Sequence, residues 1–302
     1  MKAIHPKRII RKSKAALYSF FWYYLVPDSL SISHSFRKRL GYRCNLRTPR
    51  SFNEKIQWLK LHDRKPIYKS LCDKYAVKAI IGSVIGEEHI IPTLGHWSRF
   101  EEIDFTLLPN RFVLKCNHDA ASTVICKDKA NFDYGKAKDI LTQALSRDYY
   151  HYEGKQWAYK GIKRCILAEP YLEDAVYDEL LDYKFLIFNG VFRCAFVCSD
   201  RHSVKGMTMD FYDANWELLP FTRIYPNSKF GIPRPELLDD MIELAEKIAR
   251  FIDNPFIRVD FYEHGGMVDF GGTTFYPGGG LEPFTPRSWD FTLGEWIDLN
   301  DQ

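Results

Sequence analysis

An arginine and an aspartate lie two residues apart in the stretch 257–262, where apolar and polar side chains alternate. This period places Arg258 and Asp260 on one face of a strand. A guanidinium beside a carboxylate can hold a phosphoryl group and its magnesium ion, because Mg²⁺ prefers hard oxygen ligands. The alternative interpretation is an ordinary surface ion pair on an antiparallel hairpin.

A second candidate site combines a lysine near the end of a strand with a loop of small and polar residues. Lys115 closes a predicted strand over 112–116, and a loop of small and polar residues follows at 117–123. Backbone N–H groups and one ammonium suit nucleotide phosphates, although the spacing is not that of GxxxxGK[ST]. His118 in this loop could act as a general base for an amine. The alternatives are a solvated hairpin turn and a histidine that only forms loop hydrogen bonds.

Further polar residues could complete a nucleotide and acceptor site. Glu169 precedes a short extended connection whose backbone could meet an adenine edge. Asp182 and Lys184 share one face of a predicted strand. Arg201 could bind an acceptor carboxylate bidentately, or simply pair with a neighbouring acid.

Two hairpins must position these residues. Strands over 256–262 and 267–270 are joined at His264-Gly265-Gly266, interrupted at Gly271-Gly272 and followed by Pro-Gly-Gly-Gly at 277–280. Asn189-Gly190 predicts a type I′ turn between strands over 182–189 and 191–199. A short strand and turn are expected at 90–95.

Amphipathic helices separate the strands. Ser51 and Glu54 form a capping-box pattern at the start of a helix over 51–63, and further helices are predicted over 131–148 and 235–252. Phe251 is expected on the core face of the last helix. Helices followed by antiparallel hairpins indicate an α+β fold.

The composition narrows the function class. Hydrophobic residues make up 46% of the 302 residues and aromatic residues 16%, which is enough for a substantial core. A net charge of +3 with a nearly neutral body does not favour nucleic-acid binding. Seven cysteines are typical of reduced cytosolic thiols, and Cys194 and Cys198 have no second pair of zinc ligands.

The N-terminus is basic and then apolar. Residues 2–14 carry only basic charges, and an apolar run follows at 15–26. That run is shorter than the ~20 residues that span a bilayer. A first helix packed on the domain is favoured over an amphipathic segment at an anionic membrane surface.

Five motifs together resemble one family. TPRSFNEKIQWLKLHDR, LCDKYAVK, FVLKCNHDAASTVICKDK, LLDYKFLIFNG and IRVDFY with FYPGGG resemble the teichuronopeptide-biosynthesis type (TupA-like) of ATP-grasp amidoligases from bacterial surface-polysaccharide clusters. The resemblance covers about 27–299. It implies an α+β ATP-grasp fold in which two lobes with mostly antiparallel sheets clamp a nucleotide behind a helical N-terminal segment.

The resemblance also implies roles for individual residues. Lys115 would meet the phosphates of ATP as a catalytic residue, and Arg258 would steady the transferred phosphoryl group. Asp260 would bind Mg²⁺, with Asp269 as a second candidate ligand. The remaining nucleotide contacts would come from the loop, the adenine hinge and one strand face, namely Asn117, Ala121, Ser122, Glu169, Tyr171, Leu172, Asp182 and Lys184. The glycines after Pro277 would meet the acceptor.

Two departures from the family pattern concern catalysis. A metal-binding glutamate is expected before TFYP, and Gly272 stands there. Strand alternation turns Asp269 away from this position unless a bulge at Gly271-Gly272 intervenes. Ala120-Ala121 replaces a Ser-Gly pair in the loop.

The resulting prediction is an ATP-dependent carboxylate–amine ligase of surface-glycan modification. It would use ATP and Mg²⁺ and join an amine to a sugar acid or amino acid, with a lipid-linked glycan as another acceptor. The alternatives are a degenerate nucleotide-binding protein and a glycosyltransferase.

The predicted regions are 1–50 as a basic and aromatic segment, 51–110 as a helical region, 111–170 as the small lobe and 171–302 as the large lobe. The predicted location is the cytoplasm, and peripheral contact with the inner face of the membrane through 7–26 is the alternative to a packed first helix.

Overall fold

A computed structural model describes residues 20–173, 180–199 and 206–299. Arg201 and the first part of the 7–26 segment lie outside these ranges. A π-helical turn at Phe21–Leu25 precedes eight α-helices in the described ranges. They are α1 (Asp28–Leu40), α2 (Phe52–His62), α3 (Ile67–Cys72), α4 (Ala76–Ile85), α5 (Tyr134–Leu145), α6 (Tyr149–Tyr152), α7 (Leu238–Ile252) and α8 (Ser288–Glu295).

The strands form two main sheets. Their bounds are β1 (Gly95–Trp97), β2 (Phe112–Cys116), β3 (Val124–Cys126), β4 (Ile166–Pro170), β5 (Asp182–Phe188), β6 (Val191–Ser199), β7 (Thr208–Tyr212), β8 (Thr222–Arg223), β9 (Phe256–His264), β10 (Met267–Thr274) and β11 (Phe284–Thr285). The small-lobe sheet has the order β1-β4-β2-β3, so its edge strand β1 lies outside the bounds 111–170 expected for that lobe. The large-lobe sheet has the order β10-β9-β5-β6-β7. All pairings within both sheets are antiparallel. The α+β prediction is confirmed.

Each lobe has its own apolar core. In the small lobe, Phe112, Leu114 and Cys116 of β2 pack with Leu141 of α5. In the large lobe, the inner side of the five-stranded sheet packs with α7 and with α2, α3 and α4. The alternation in β2 therefore leaves Lys115 on the face away from the core.

The predicted local signals define the elements that carry the site. Ser51 accepts a hydrogen bond from the Glu54 N–H in a complete capping box at α2. Asn189 and Gly190 both have positive φ between β5 and β6, as a type I′ turn requires. The β9–β10 hairpin forms as expected, with a bulge between Phe270 and Gly272.

Three local expectations were wrong in detail. Helix α7 begins at Leu238, three residues later than predicted, and Phe251 is 47% exposed although it was expected to face the core. The strand expected at 90–95 begins only at Gly95, because Ile90 forms an isolated bridge to Phe270 instead.

The described part of the N-terminal segment, residues 20–26, packs only partly against the rest of the protein. The Trp22 ring stacks on His34 at 4.3 Å, while Phe20, Phe21 and Leu25 are at least half exposed. The favoured packing interpretation is therefore only partly supported. Within the described ranges, no helix is long and apolar enough to cross a bilayer.

Candidate nucleotide and acceptor site

A buried carboxylate of the small lobe pairs with two lysines, one from the small-lobe strand β2 and one from helix α4. Lys115 Nζ of β2 lies 2.5 Å from Glu169 Oε2 of β4, and Lys78 Nζ of α4 lies 2.6 Å from Glu169 Oε1. The three side chains are only 7–15% exposed. Burial alone would raise the pKa of Glu169, but the two ammonium groups outweigh it and lower that pKa. Two cations are thus held where an anionic ligand could replace the carboxylate.

The loop after β2 is held mainly by its own polar residues. Ser122 Oγ donates to Asp119 Oδ1 at 2.6 Å and accepts from the Cys116 N–H at 2.9 Å. Lys74 Nζ donates to the carbonyl oxygen of Asp119. Ala121 is exposed at the tip. Of the predicted phosphate contacts in this loop, Ala121 lies at the open tip, whereas Ser122 supports the loop from within.

Asn117 and His118 point into the small lobe. Asn117 Nδ2 donates to the Lys163 carbonyl and Oδ1 accepts from the Cys165 N–H, at 2.9 and 2.8 Å. His118 is 3% exposed, its Nε2 lies 3.2 Å from the Ala144 carbonyl oxygen, and burial lowers its pKa. The structure does not bring the His118 ring beside Lys115, so the general-base role remains a prediction without geometric support.

The predicted adenine hinge continues from β4. Tyr171 and Leu172 follow the strand and are half-buried. The Arg111 guanidinium lies 4.8 Å from the centre of the Tyr171 ring. Tyr171 follows Glu169 by two residues, so the predicted hinge begins next to the cluster of Glu169, Lys78 and Lys115.

Four charged residues share one face of the large sheet. Register places Lys184 opposite Asp260 and Leu186 opposite Arg258, so Asp182, Lys184, Arg258 and Asp260 lie together. Arg258 Nε and Nη2 each donate to one oxygen of Asp260 at 2.7 Å. Lys184 Nζ pairs with Asp182 and lies 3.6 Å from Asp260 Oδ2. Burial opposes the charge of Arg258, but Asp260 outweighs it and raises the Arg258 pKa.

The bulge in β10 decides which residues join that face. Gly272 lies opposite Asp260 and Asp269 lies opposite Tyr262, with the register shift between them. Directly opposed residues in an antiparallel pair project from the same face. Asp269 therefore shares the face of Asp260, which plain alternation had argued against. Burial raises the pKa of Asp269, although His264 and His89 oppose this effect.

Charged residues of both lobes act on one tyrosine. Burial raises the pKa of the Tyr149 hydroxyl, and the charges acting on it include Asp119 of the small-lobe loop and Arg258 of β9. The Tyr149 ring packs on Tyr159 at 4.7 Å. Asp119 and Arg258 therefore both lie within electrostatic range of the Tyr149 hydroxyl.

The donors available fit a magnesium ion carried by a nucleotide. Mg²⁺ is commonly bound through one or two carboxylates together with substrate phosphates. Asp260 and Asp269 supply two carboxylates on one face, while Gly272 supplies none. No group of three or more His, Cys, Asp or Glu side chains able to hold a metal occurs within 20–173, 180–199 and 206–299. The lysine pair around Glu169 fits the phosphates.

Sequence reasoning missed two residues of this site. Lys78 lies in the quoted segment LCDKYAVK but was given no role. Tyr149 was not considered. No local pattern marks either residue, because each reaches the site through tertiary packing.

A family model described as TupA-like ATPgrasp matches residues 54–298. A search of curated proteins found no match.

Solved ligases also resemble the chain at low identity. D-alanine–D-alanine ligase from Bacillus anthracis, complexed with ATP, is 15% identical with a TM-score of 0.40, and the match covers 69% of this chain and 54% of that one. D-cycloserine synthetase DcsG is 15% identical with a TM-score of 0.43, covering 76% and 71%. The ATP-grasp ligase PsnB, complexed with minimal precursor, Mg and ADP, is 8% identical with a TM-score of 0.40, covering 74% and 57%. The chain thus spans little more than half the length of two of these three structures.

Proposed function

Because the chain belongs to the TupA-like ATP-grasp family, we propose that it is an ATP-dependent carboxylate–amine ligase of surface-glycan modification. Its acceptor would be a sugar acid or amino acid, free or on a lipid-linked glycan. The single observation that carries the proposal is the charged face of the large sheet, where Arg258 donates to both oxygens of Asp260 and Lys184 Nζ lies 3.6 Å from Asp260 Oδ2.

The chemistry requires an activated carboxylate. Transfer of the γ-phosphoryl group of ATP to a carboxylate oxygen gives an acyl phosphate and ADP. Attack by a neutral amine at the acyl carbon then forms the amide, expels inorganic phosphate and releases a proton. Magnesium, when bound with ATP, neutralises charge on the phosphates.

Lys115 and Lys78 would bind the phosphates of ATP, which would replace the Glu169 carboxylate as their anionic partner. In the structure, both ammonium groups pair with Glu169 in a largely buried site. A phosphate oxygen offers the same charge-assisted hydrogen bonds, so the lysines need not remain unpaired during the exchange.

Arg258 would orient the transferred phosphoryl group. Asp260 holds the guanidinium through two parallel hydrogen bonds, which fixes its plane before a ligand arrives. Asp260 and Asp269 would meet the nucleotide-bound magnesium ion.

The remaining nucleotide contacts would be shared between the lobes. Glu169, Tyr171 and Leu172 would form the adenine side. Asp182 and Lys184 would face the ribose and phosphates, and the loop tip at Ala121 would close over them.

Nucleotide turnover tests the proposal directly. Purified protein with Mg²⁺ should release ADP and phosphate only when a carboxylate acceptor and an amine are both present. Asp260→Asn should lower this rate by about 100-fold, because the arginine loses its charged partner and the metal one ligand. Asp239→Asn, at an exposed ion pair with Arg234, is the matched control and should leave the rate unchanged. Absence of turnover across acceptor and amine panels would contradict the proposal.

Gly272 supports a second candidate, a nucleotide-binding protein without turnover. A carboxylate is missing opposite Asp260. Binding of an ATP analogue, with no release of ADP whatever acceptor is added, would favour this alternative.

The glycosyltransferase alternative needs a doubly wound parallel sheet. No such sheet occurs in the described residues, whose two main sheets are antiparallel.

We also propose peripheral contact with an anionic membrane at the inner face. Residues 1–50 contain twelve basic residues and the single acid Asp28, whereas the rest of the chain has more acids than bases. Phe20, Phe21 and Leu25 expose about half or more of their surface beside this charge. Apolar side chains next to basic charge suit a bilayer surface with anionic lipids.

A further inference from the structure

The four residues Pro277–Gly280, here called the glycine turn, adopt a shape that requires glycine. Gly278, Gly279 and Gly280 have φ of 58°, 63° and 61°. A Cβ at Gly280 would lie 2.5 Å from Gln57 Nε2 and 2.7 Å from an Ile56 carbon. The turn is thus left-handed and pressed against α2.

Two buried side chains of α2 hold the carbonyl groups of this turn. Gln57 Nε2 donates to the carbonyl oxygens of Gly279 and Gly280, at 2.9 and 2.6 Å. Lys60 Nζ donates to the Gly279 oxygen at 2.6 Å, and also to Gln57 Oε1 at 2.8 Å and to the Gly154 carbonyl at 2.9 Å. All three donors of the ammonium are therefore used.

A buried arginine holds the other end of the turn. Arg223 Nη2 donates to the Pro277 oxygen at 3.0 Å and lies 3.1 Å from Glu282 Oε2. Register places Thr274 opposite Arg258, and the turn begins three residues later, so the turn lies next to the end of the Arg258 face.

Stability alone does not explain Lys60. Its side chain is fully buried, and the partners that the described residues give its Nζ are one amide oxygen and two backbone carbonyl oxygens. Burying an ammonium costs several kcal/mol, and an apolar residue of similar size is often at least as stable there. The buried amine is therefore best explained by the backbone carbonyl groups that it holds in place.

The held carbonyls fix the orientation of the whole turn. In a trans peptide the N–H and C=O point in opposite directions. The Pro277 oxygen points to Arg223, so the Gly278 N–H points away from that buried cation, and Gly278 is the exposed residue of the turn.

We propose that Lys60 and Gln57 are positioning residues for the acceptor, acting through the glycine turn. This inference rests on the proposed ligase function. The two side chains keep the turn rigid beside Arg258, and the acceptor contacts the turn's outer side. They touch neither nucleotide nor acceptor themselves.

Gln57→Glu separates this role from a merely structural one. A carboxylate keeps the shape and gives Lys60 an opposite charge, but it cannot donate to Gly279 and Gly280. The unfolding midpoint should fall only slightly, because the new carboxylate pairs with Lys60 and offsets part of the two lost hydrogen bonds. Affinity for an ATP analogue with Mg²⁺ should be unchanged, whereas acceptor-dependent ADP release should fall about 100-fold, as for a misplaced reacting group. Gln143→Glu, an exposed residue of α5, is the control and should leave every readout unchanged.

The turn itself can be observed with labelled glycine. The chain has only four Gly-Gly peptides, 265–266, 271–272, 278–279 and 279–280. Protein made with carbonyl-¹³C, ¹⁵N glycine therefore gives four carbonyl–amide cross-peaks. In Lys60→Met and Gln57→Glu the 279–280 peak should shift, while the 265–266 peak should not.

Each failure has its own signature. Wild-type protein that never turns over ATP removes the proposed function, and this inference falls with it. Wild-type turnover that Gln57→Glu leaves intact overturns the inference alone, as does an unshifted 279–280 peak.

Discussion

At the scale of single residues, Glu169 controls the charge of the small-lobe site. Glu169→Gln leaves two partly buried ammonium groups without their shared carboxylate. Removing one partner of a buried ion pair costs about 3–5 kcal/mol. We expect a fall of that order in the free energy of unfolding, measured in urea, and partial recovery with an ATP analogue because its phosphates replace the lost anion.

Glu173→Gln is the matched control for this change. Glu173 pairs with Arg111 at an exposed position, and such pairs contribute about 0–1 kcal/mol. Equal losses from the two variants would contradict the importance given to the Glu169 cluster.

Gly272 offers a second test at this scale. A Cβ there meets nothing within 4 Å, but φ is +156°, which side chains rarely adopt. Gly272→Glu should therefore cost about 1–3 kcal/mol of stability and still raise Mg²⁺-dependent affinity for an ATP analogue, measured by titration calorimetry. Gly272→Gln carries the same strain without the charge. If Gln and Glu raised affinity equally, a metal-ligand role at this position would be ruled out.

At the scale of elements, α2 and the glycine turn predict a pH dependence. Burial lowers the pKa of Lys60 to about 7, although the Cys44 thiol opposes this effect. A lysine with a lower pKa in the folded state binds more protons when unfolded, so its contribution to stability rises with pH between about 7 and 10. The slope is at most about 1.4 kcal/mol per pH unit.

Lys60→Met removes this slope. Urea unfolding of wild type and variant at pH 7, 8 and 9 should show a difference that moves in favour of the wild type as pH rises. Lys136→Met, an exposed lysine of α5, should run parallel to the wild type. A constant wild-type-to-Lys60→Met difference would mean that the buried lysine titrates normally.

Local chemistry explains which elements the sequence could predict. Ser51 with Glu54 and Asn189-Gly190 act within a few residues, so their helix start and hairpin turn were predictable. The alignment of Asp269 with Asp260 depends on a bulge, and Gly271-Gly272 allowed a bulge without requiring one. The Lys78–Glu169 contact joins a helix to a distant strand, and no sequence period encodes it.

At the scale of the whole molecule, charge is divided along the chain. Residues 1–50 hold twelve basic residues and one acid, whereas the remaining residues hold 30 basic residues and 38 acids. One end can therefore approach an anionic surface while the lobes remain free to bind a nucleotide.

Vesicle binding tests this arrangement. Each basic residue near an anionic bilayer contributes about 1 kcal/mol, and the effect falls off within a Debye length of about 8 Å at physiological salt. We expect the protein to sediment with vesicles containing anionic phosphatidylglycerol, to sediment little with neutral phosphatidylcholine vesicles, and to be released at 1 M salt.

The double variant Phe20→Ser with Phe21→Ser should weaken vesicle binding several-fold, because two exposed aromatic rings no longer enter the interface. Phe230→Ser, at a ring that is 88% exposed and outside the basic segment, should not. Equal binding to both kinds of vesicle would show that the basic residues of 1–50 do not contribute to membrane binding.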